Sequence, residues 1–308
     1  MRKVVQQRVG GPEVLEIREV EVPRPGPGEV LVRVGGIGVN PADVAVRAGY
    51  WPILGEPPYT VGWDVAGTVE RVGDGVTAFA SGDRVFALSR FPREAAAYAE
   101  FVVVPADELA RTPDALTDVE AGALPLAGLT AWLGLVEVAG VSAGQRVLIR
   151  AAGGGVGHLA VQIAKARGAH VVAVVSPAKA EFVKSIGADE IVDYTAGAFV
   201  DDVAPVDVAF DPFGSPDTQA VLPTVKPGGV VVALLDVDED ARAEADRRGV
   251  RLERIHVEPH GEHLAQLATL ADAGQFRPHV SATFPLEKAG DAHAALADRA
   301  PGKVVLVP

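Results

Sequence analysis

Arg146-Val147-Leu148-Ile149-Arg150-Ala151-Ala152-Gly153-Gly154-Gly155-Val156-Gly157-His158-Leu159-Ala160-Val161-Gln162-Ile163-Ala164-Lys165 decides how this chain is read. It is a short apolar strand, a glycine-rich turn and then a helix. A turn of this kind brings backbone N–H groups close to a phosphate, and the helix adds its positive N-terminal end. The dinucleotide fingerprint is G-x-G-x-x-G. Here it runs Ala152-x-Gly154-x-x-Gly157, with alanine in the first place. Such a match gains weight only where a strand precedes it and a helix follows, and this sequence shows both patterns.

Downstream, apolar strands alternate with helical stretches. Strands are expected at 170–175, 190–194, 206–211, 229–235 and 250–257, with a helix over 178–186. Near-continuous Val/Ile/Leu strands between helices indicate a parallel sheet covered on both faces. Six of them make an α/β, doubly wound Rossmann sheet. Upstream, strands at 30–34, 65–72, 83–88 and 100–104 with Gly-Asp turns between them indicate a β-rich, barrel-like domain. A helical period starts near 114, where Thr117 and Glu120 have capping-box spacing. The tail from 258 carries a helix over 263–271, ended by Gly274, and a last strand at 303–307; it is expected to pack back on the N-terminal domain. The expected domains are therefore 1–120 with 258–308, and 121–257.

The 308 residues leave room for two domains, and 48% hydrophobic content supports a substantial core. A net charge of −13 argues against nucleic acid or an anionic membrane as partner. A small anionic ligand in a local basic pocket stays open. The absence of cysteine excludes disulfides and thiolate metal sites. The first residues lack the apolar segment of a signal peptide, and no apolar run approaches bilayer length. A cytoplasmic location is expected. The charged stretch 236–248 reads as a solvated helix and its approach.

The second Rossmann strand ends Val174-Val175-Ser176-Pro177-Ala178-Lys179, and the first carboxylate after it is Glu181. In NAD enzymes an acidic residue at that strand end binds the ribose 2′-OH. Such a group would repel a 2′-phosphate, whereas Ser176 and Lys179 would attract one. Tyr194, at the end of the third strand, would add a hydroxyl. The favoured cofactor is NADPH. The alternative is that Ser176 caps a helix and Lys179 is an ordinary surface lysine.

Further stretches match a known family in order along nearly the whole chain. They are Gly38-Val39-Asn40-Pro41-Ala42-Asp43 with Arg47-Ala48-Gly49; Gly62-Trp63-Asp64-Val65-Ala66-Gly67-Thr68-Val69; Leu124-Pro125-Leu126-Ala127-Gly128-Leu129-Thr130-Ala131-Trp132; Gly187-Ala188-Asp189; and Gly302-Lys303-Val304-Val305-Leu306. With the glycine turn, they resemble the medium-chain dehydrogenase/reductase superfamily, in its zinc-free, zeta-crystallin-like quinone oxidoreductase branch. The resemblance implies a GroES-like catalytic domain, a Rossmann domain and a cleft between them. Zinc-dependent relatives carry His before the acidic residue of the 62–69 motif and Cys near Asn40. This sequence has Trp63 and no cysteine, so no metal is expected. Asp64 is expected to be structural, satisfied by backbone or an arginine. His260 and His263 stand three apart, but with no third ligand near them they are not expected to bind metal.

By the same resemblance, Asn40 and Thr130 would approach the nicotinamide. Ala152, Gly154, Gly155 and Val156 would line the pyrophosphate, and Gly157 would permit close helix packing. Ser176, Lys179 and Tyr194 would hold the 2′-phosphate. Leu234 and Leu235 would end the fifth strand at the cofactor-facing rim, and Lys303 would lie near the nicotinamide through its backbone.

Hydride transfer without a metal favours an already activated acceptor, a quinone or an α,β-unsaturated carbonyl. The protein then has to position it and stabilise the developing oxyanion. Candidate donors are the Asn40 amide and the Tyr50 hydroxyl, the latter in a Trp/Tyr/Pro-rich loop, 50–58. Tyr50 reads equally well as surface packing in that loop. The final proton would come from water. The rivals are an enoyl-thioester or biosynthetic enoyl reductase on the same fold, and an NADPH-binding protein with little turnover. A homodimer is expected, paired through the edge strand at 250–257.

Overall fold

The computed structural model describes residues 1–197, 200 and 203–308. In chain order the first elements are strands β1 (Arg2–Gln6), β2 (Leu15–Glu19) and β3 (Glu29–Val39), helix α1 (Pro41–Ala48), then β4 (Asp64–Val72), β5 (Arg84–Leu88), β6 (Phe101–Pro105) and β7 (Leu109–Arg111). Helices α2 (Asp118–Gly122) and α3 (Pro125–Trp132) follow. The Rossmann elements are β8 (Arg146–Arg150), α4 (Gly157–Ala166), β9 (His170–Val175), α5 (Ala180–Ser185), β10 (Glu190–Asp193), β11 (Val206–Asp211), β12 (Val225–Ala233), α6 (Glu239–Arg248) and β13 (Arg251–Arg254). The tail is α7 (Gly261–Asp272), β14 (Val280–Pro285), α8 (Ala289–Ala295) and β15 (Lys303–Val307). The chain divides into two compact units, Met1–Leu129 with Glu258–Pro308, and Thr130–Val257.

In the first unit seven strands follow the order β14-β15-β3-β4-β5-β7, with β6 also on β3, while β1 and β2 form a separate pair. Among the described pairings none joins β7 to β14, so this sheet path is open. The eleven residues of β3 serve three partners: 29–33 pair β6, 30–36 pair β4 and 37–39 pair β15. Val30, Leu31, Val32, Ile37, Trp63, Phe86 and Leu88 are fully buried in its core. Thr117 and Glu120 form the expected capping box: Glu120 N–H donates to Thr117 Oγ1 at 3.2 Å and Thr117 N–H to Glu120 Oε2 at 2.9 Å. A Cβ added to Gly122 would meet the carbonyl carbon of Gly36 at 2.6 Å. Helix α2 thus lies backbone to backbone on β3. The first unit runs to Leu129, where the sequence suggested 120.

In the second unit six strands run β10-β9-β8-β11-β12-β13, every neighbouring pair parallel. Counted along the chain that order is 3-2-1-4-5-6, the doubly wound arrangement, which reverses between β8 and β11. Val147, Leu148, Ile149, Val171, Val172 and Ala209 are fully buried, as a sheet covered on both faces requires. Strand ends differ from the expectation. The strand expected at 229–235 runs Val225–Ala233, so Leu234 and Leu235 lie past its end. Tyr194 also falls outside its strand, because the Asp193 carboxylate captures the Thr195 N–H at 2.8 Å and turns the chain. The sixth strand is four residues, Arg251–Arg254. Among the described residues no helix is long and apolar enough to cross a membrane.

Candidate functional site

The glycine turn leaves β8 through Ala151, whose φ of 49° is left-handed although it carries a Cβ. That conformation costs about 1 kcal/mol for alanine. It lets the Ala151 carbonyl accept the Gly154 N–H at 2.8 Å and close the turn. The Gly154 carbonyl then accepts from His158 N–H at 3.1 Å and His158 Nδ1–H at 2.9 Å. Helix α4 starts at Gly157 after Val156, which supplies no side-chain cap. The helix presents the positive end of its dipole to the turn, and its first N–H groups are bonded within it: after His158, the Leu159 and Ala160 N–H groups donate to Val156 O at 3.1 and 3.0 Å.

Backbone contact requires glycine at 157, while Gly153 lies under a side chain. A Cβ on Gly157 would meet the Ala151 carbonyl carbon and the Ala152 Cα, each at 2.8 Å. A Cβ on Gly153 would meet Lys179 Cδ at 2.7 Å, so the Lys179 stem lies across the turn. Ser176 precedes the 3-10 turn Pro177–Lys179, and its hydroxyl makes no capping hydrogen bond. Val175 pairs with Asp193, so Ser176 and Tyr194 leave adjacent strands side by side. Tyr194 is half exposed. A helix start without a side-chain cap and a turn with no room for a methyl at Gly157 fit a nicotinamide dinucleotide.

At the rim where the strand order reverses, Arg150 of β8 pairs with Asp211 of β11 at 2.9 Å. Asp211 is fully buried and its other oxygen accepts from Thr218 Oγ1 at 2.8 Å. Burial raises its pKa, against the opposing pull of Arg150. The Arg150 guanidinium lies 4.7 Å from the Phe213 ring centroid. This pair was not expected from the sequence. Its signal was a charge of opposite sign as the last residue of each of two strands, Arg150 and Asp211. Leu234 donates its N–H to Asp211 O at 3.1 Å, and Leu235 is exposed.

In the first unit the polar residues collect around Asn40, at the start of α1. Asn40 Nδ2 donates to Asp64 Oδ2 at 2.9 Å, and Lys303 Nζ donates to Asn40 Oδ1 and, at 3.3 Å, to Val39 O. Asp64 Oδ1 accepts the Leu126 N–H at 2.7 Å, and Lys303 Nζ stands 3.6 Å from Oδ2. All three side chains are buried. Asp64 is therefore structural and backbone-bound as expected, but its cation is a lysine rather than an arginine. Burial raises its pKa, opposed first by Lys303. Lys303 enters through its side chain. Its N–H donates to His279 O at 2.9 Å and its carbonyl accepts from Ser281 Oγ at 3.0 Å, which engages the backbone groups expected to face the nicotinamide.

Asp43, one turn into α1, accepts the Asn40 N–H at 2.7 Å, and burial raises its pKa to about 7. Tyr50, at the other end of α1, is 87% exposed. Thr130 is buried on α3. Trp63 is fully buried and donates Nε1–H to Arg93 O at 2.7 Å. His260 and His263 stack at 3.6 Å, and His260 Nδ1 accepts the His263 N–H as the cap of α7. Among the described residues no group of three or more His, Cys, Asp or Glu is placed to hold a metal ion.

Residues 26–114 match the profile of the alcohol dehydrogenase GroES-like domain, and residues 186–306 that of the zinc-binding dehydrogenases. Human quinone oxidoreductase is 30% identical over 100% of this chain and 98% of its own length. The chain belongs to the zinc-free, quinone oxidoreductase-like branch of the medium-chain dehydrogenase/reductase superfamily. This branch member is also 34% identical to 2-haloacrylate reductase of a Burkholderia species, over 100% of this chain and 99% of that one. It superposes on the Escherichia coli quinone oxidoreductase solved with NADPH at a TM-score of 0.90, with 28% identity over 100% of both chains. The second profile takes its description from zinc enzymes, while this superfamily member carries Trp63 and no cysteine.

Proposed function

We propose that this protein is a zinc-independent, NADPH-dependent reductase of quinones or α,β-unsaturated carbonyls. Its membership of a superfamily of nicotinamide-dependent oxidoreductases supports the general class. The observation that carries the cofactor choice is the Lys179 stem across Gly153, with no carboxylate at the end of β9. Lys179, Ser176 and Tyr194 would hold the 2′-phosphate by charge and hydrogen bonds. The N–H groups of Gly155, Val156 and Gly157 would hold the pyrophosphate, Gly154, whose own N–H closes the turn, would let it approach, and the tight seat of Gly157 keeps α4 close behind them. Thr130, Leu234 and Leu235 would border the nicotinamide half.

When bound, NADPH supplies a hydride from its nicotinamide C4. Among the described residues no group of His, Cys, Asp or Glu is placed to hold a metal that would polarise an isolated carbonyl, which favours a conjugated acceptor. The names of the human and Burkholderia relatives agree with such acceptors. Asn40 directs its amide N–H toward Asp64, which leaves the Tyr50 hydroxyl as the remaining candidate donor to a substrate oxygen. Asn40 instead keeps the Lys303 ammonium in place as a fixed positive charge.

The test is cofactor oxidation against a panel of a quinone, an enone and an enoyl thioester, with NADPH and NADH in parallel. Turnover of the quinone or enone with NADPH is expected. Turnover of the thioester alone would replace this reading with a carrier-linked enoyl reductase. NADPH binding without turnover of any acceptor would make the protein a cofactor-binding module.

A further inference from the structure

A line of buried polar groups crosses the first unit and ends at Asp43. It starts at Arg47, in the last turn of α1, and passes through His293 of α8 and Tyr98; all four side chains are buried. Arg47 NH1 lies 3.4 Å from His293 Nδ1, His293 Nε2 lies 2.9 Å from Tyr98 Oη, and Tyr98 Oη lies 3.2 Å from Asp43 Oδ2. The Tyr98 and His293 rings meet edge to face at 84°, centroids 5.6 Å apart.

The chemistry of the first group fixes the direction of the line. A guanidinium has only donors, so His293 Nδ1 must accept. Burial first, and the Arg47 charge second, push the His293 pKa down to about 3. At neutral pH the imidazole is therefore uncharged, and its one N–H is at Nε2. That N–H donates to Tyr98 Oη, which turns the phenol hydrogen toward Asp43. Every donor points the same way, from the guanidinium to the carboxylate, and such aligned bonds reinforce one another.

Asp43 needs this support. Asp64 has the Lys303 ammonium within 4 Å, but no described ion pair includes Asp43, and its Oδ1 is buried without a hydrogen-bond partner. Asp64 of β4 repels its charge, and Lys303 of β15 attracts it more weakly. From its own helix it receives the Asn40 N–H, and from the segment before β6 the Tyr98 hydroxyl. Arg47, at the outer end, also faces Glu13 and Tyr50.

We propose that Tyr98 and His293 are positioning residues that carry the charge of Arg47 inward to Asp43, so that Asp43 fixes Asn40 beside the Lys303 ammonium. The catalytic consequence rests on the reductase reading above; the hydrogen-bonded line itself does not.

The test begins with the native protein. Nitrogen NMR of His293 is expected to show the neutral Nε2–H tautomer from neutral pH down to about pH 5. An Nδ1–H tautomer, or an imidazolium at pH 6, overturns the proposal. Carboxyl-carbon NMR then follows the titration of Asp43. Tyr98→Phe is expected to raise it by about one pH unit, since a hydrogen bond to the charged form is lost. His293→Leu is expected to raise it in the same direction, although His293 does not touch Asp43. His293→Gln offers an acceptor to Arg47 and a donor to Tyr98, and is expected to restore the native value. If Tyr98→Phe shifts Asp43 and His293→Leu does not, the charge is not conducted and the proposal fails. In turnover the pH profile of kcat should move with the Asp43 titration while KM for NADPH stays constant. A kcat profile that ignores a shifted Asp43 removes the catalytic role. The NMR measurements need no acceptor, so they decide the line of hydrogen bonds even if the reductase reading falls.

Discussion

The same substitution at two glycines of one turn should have opposite consequences. In Gly157→Ala the new methyl meets the Ala151 carbonyl carbon and the Ala152 Cα, each at 2.8 Å. That is roughly 0.7 Å inside carbon–carbon contact, and both neighbours are backbone atoms that no rotamer change can move. Overpacking of this kind costs about 1–3 kcal/mol. In Gly154→Ala the only close neighbour is Ala151 O at 3.2 Å. A small local shift would relieve it, and the loss of unfolded-chain entropy returns about 0.4–1 kcal/mol. Gly154→Ala should therefore stay within about 1 kcal/mol of the parent in urea unfolding, yet lose about tenfold or more in NADPH affinity by calorimetry, because its methyl occupies the phosphate approach. Gly157→Ala should lose stability first. Parent-like stability in Gly157→Ala, or parent-like NADPH affinity in Gly154→Ala, would refute the assignment of packing to one glycine and ligand approach to the other.

Lys179→Ala should weaken NADPH binding by about 10–100-fold, a charged hydrogen bond of about 1.5–3 kcal/mol, and leave NADH binding nearly unchanged; equal losses for both cofactors would show that Lys179 does not reach a 2′-phosphate. Lys303→Met leaves Asp64 buried without its cation and should destabilise the fold by about 3–5 kcal/mol; an unfolding midpoint equal to the parent's would contradict that pairing. His293 has a folded pKa of about 3, below its unfolded value of about 6.5. Its stabilising contribution is therefore present above pH 6.5 or so and is lost as pH falls toward 3, at about 1.4 kcal/mol per unit. Asp43, raised to about 7, acts in the opposite sense: its contribution is present below about pH 3.9 and is lost as pH rises through 7. His293→Gln removes the first slope, so the variant should gain about 2 kcal/mol on the parent between pH 6.5 and 5; a constant difference would show that His293 is not held neutral. If β13, the edge strand of the second sheet, pairs across a two-fold axis, light scattering should give the mass of a dimer; a monomer mass excludes it.

What the sequence made legible was local. The glycine turn, the alternation of apolar strands with helices and the Thr117–Glu120 box are short-range patterns, and each has its counterpart in the structure. Strand ends were less legible, because competing side chains decide them: Asp193 ends β10 one residue before Tyr194 by capturing a backbone N–H. Left-handed Ala151 was not readable at all, since alanine avoids that conformation unless the surrounding turn imposes it. The buried charges were the least legible. Arg47 and His293 are 246 residues apart, and Tyr98 and His293 are 195 apart. No periodicity links them, and only the folded sheet brings them into contact. Lys303 shows the same limit: the motif around it placed the residue, but that its side chain rather than its backbone enters the polar cluster depended on β15 pairing Val304 with Val39, which brings Lys303 Nζ to Val39 O.

The most direct test of a zinc-free NADPH reductase is the initial rate of NADPH oxidation by metal-stripped protein with a quinone as acceptor, beside the same assay with NADH. The chelated protein should turn over at the untreated rate and prefer NADPH. A rate that vanishes on chelation and returns with zinc, or faster turnover with NADH, would contradict the proposed function.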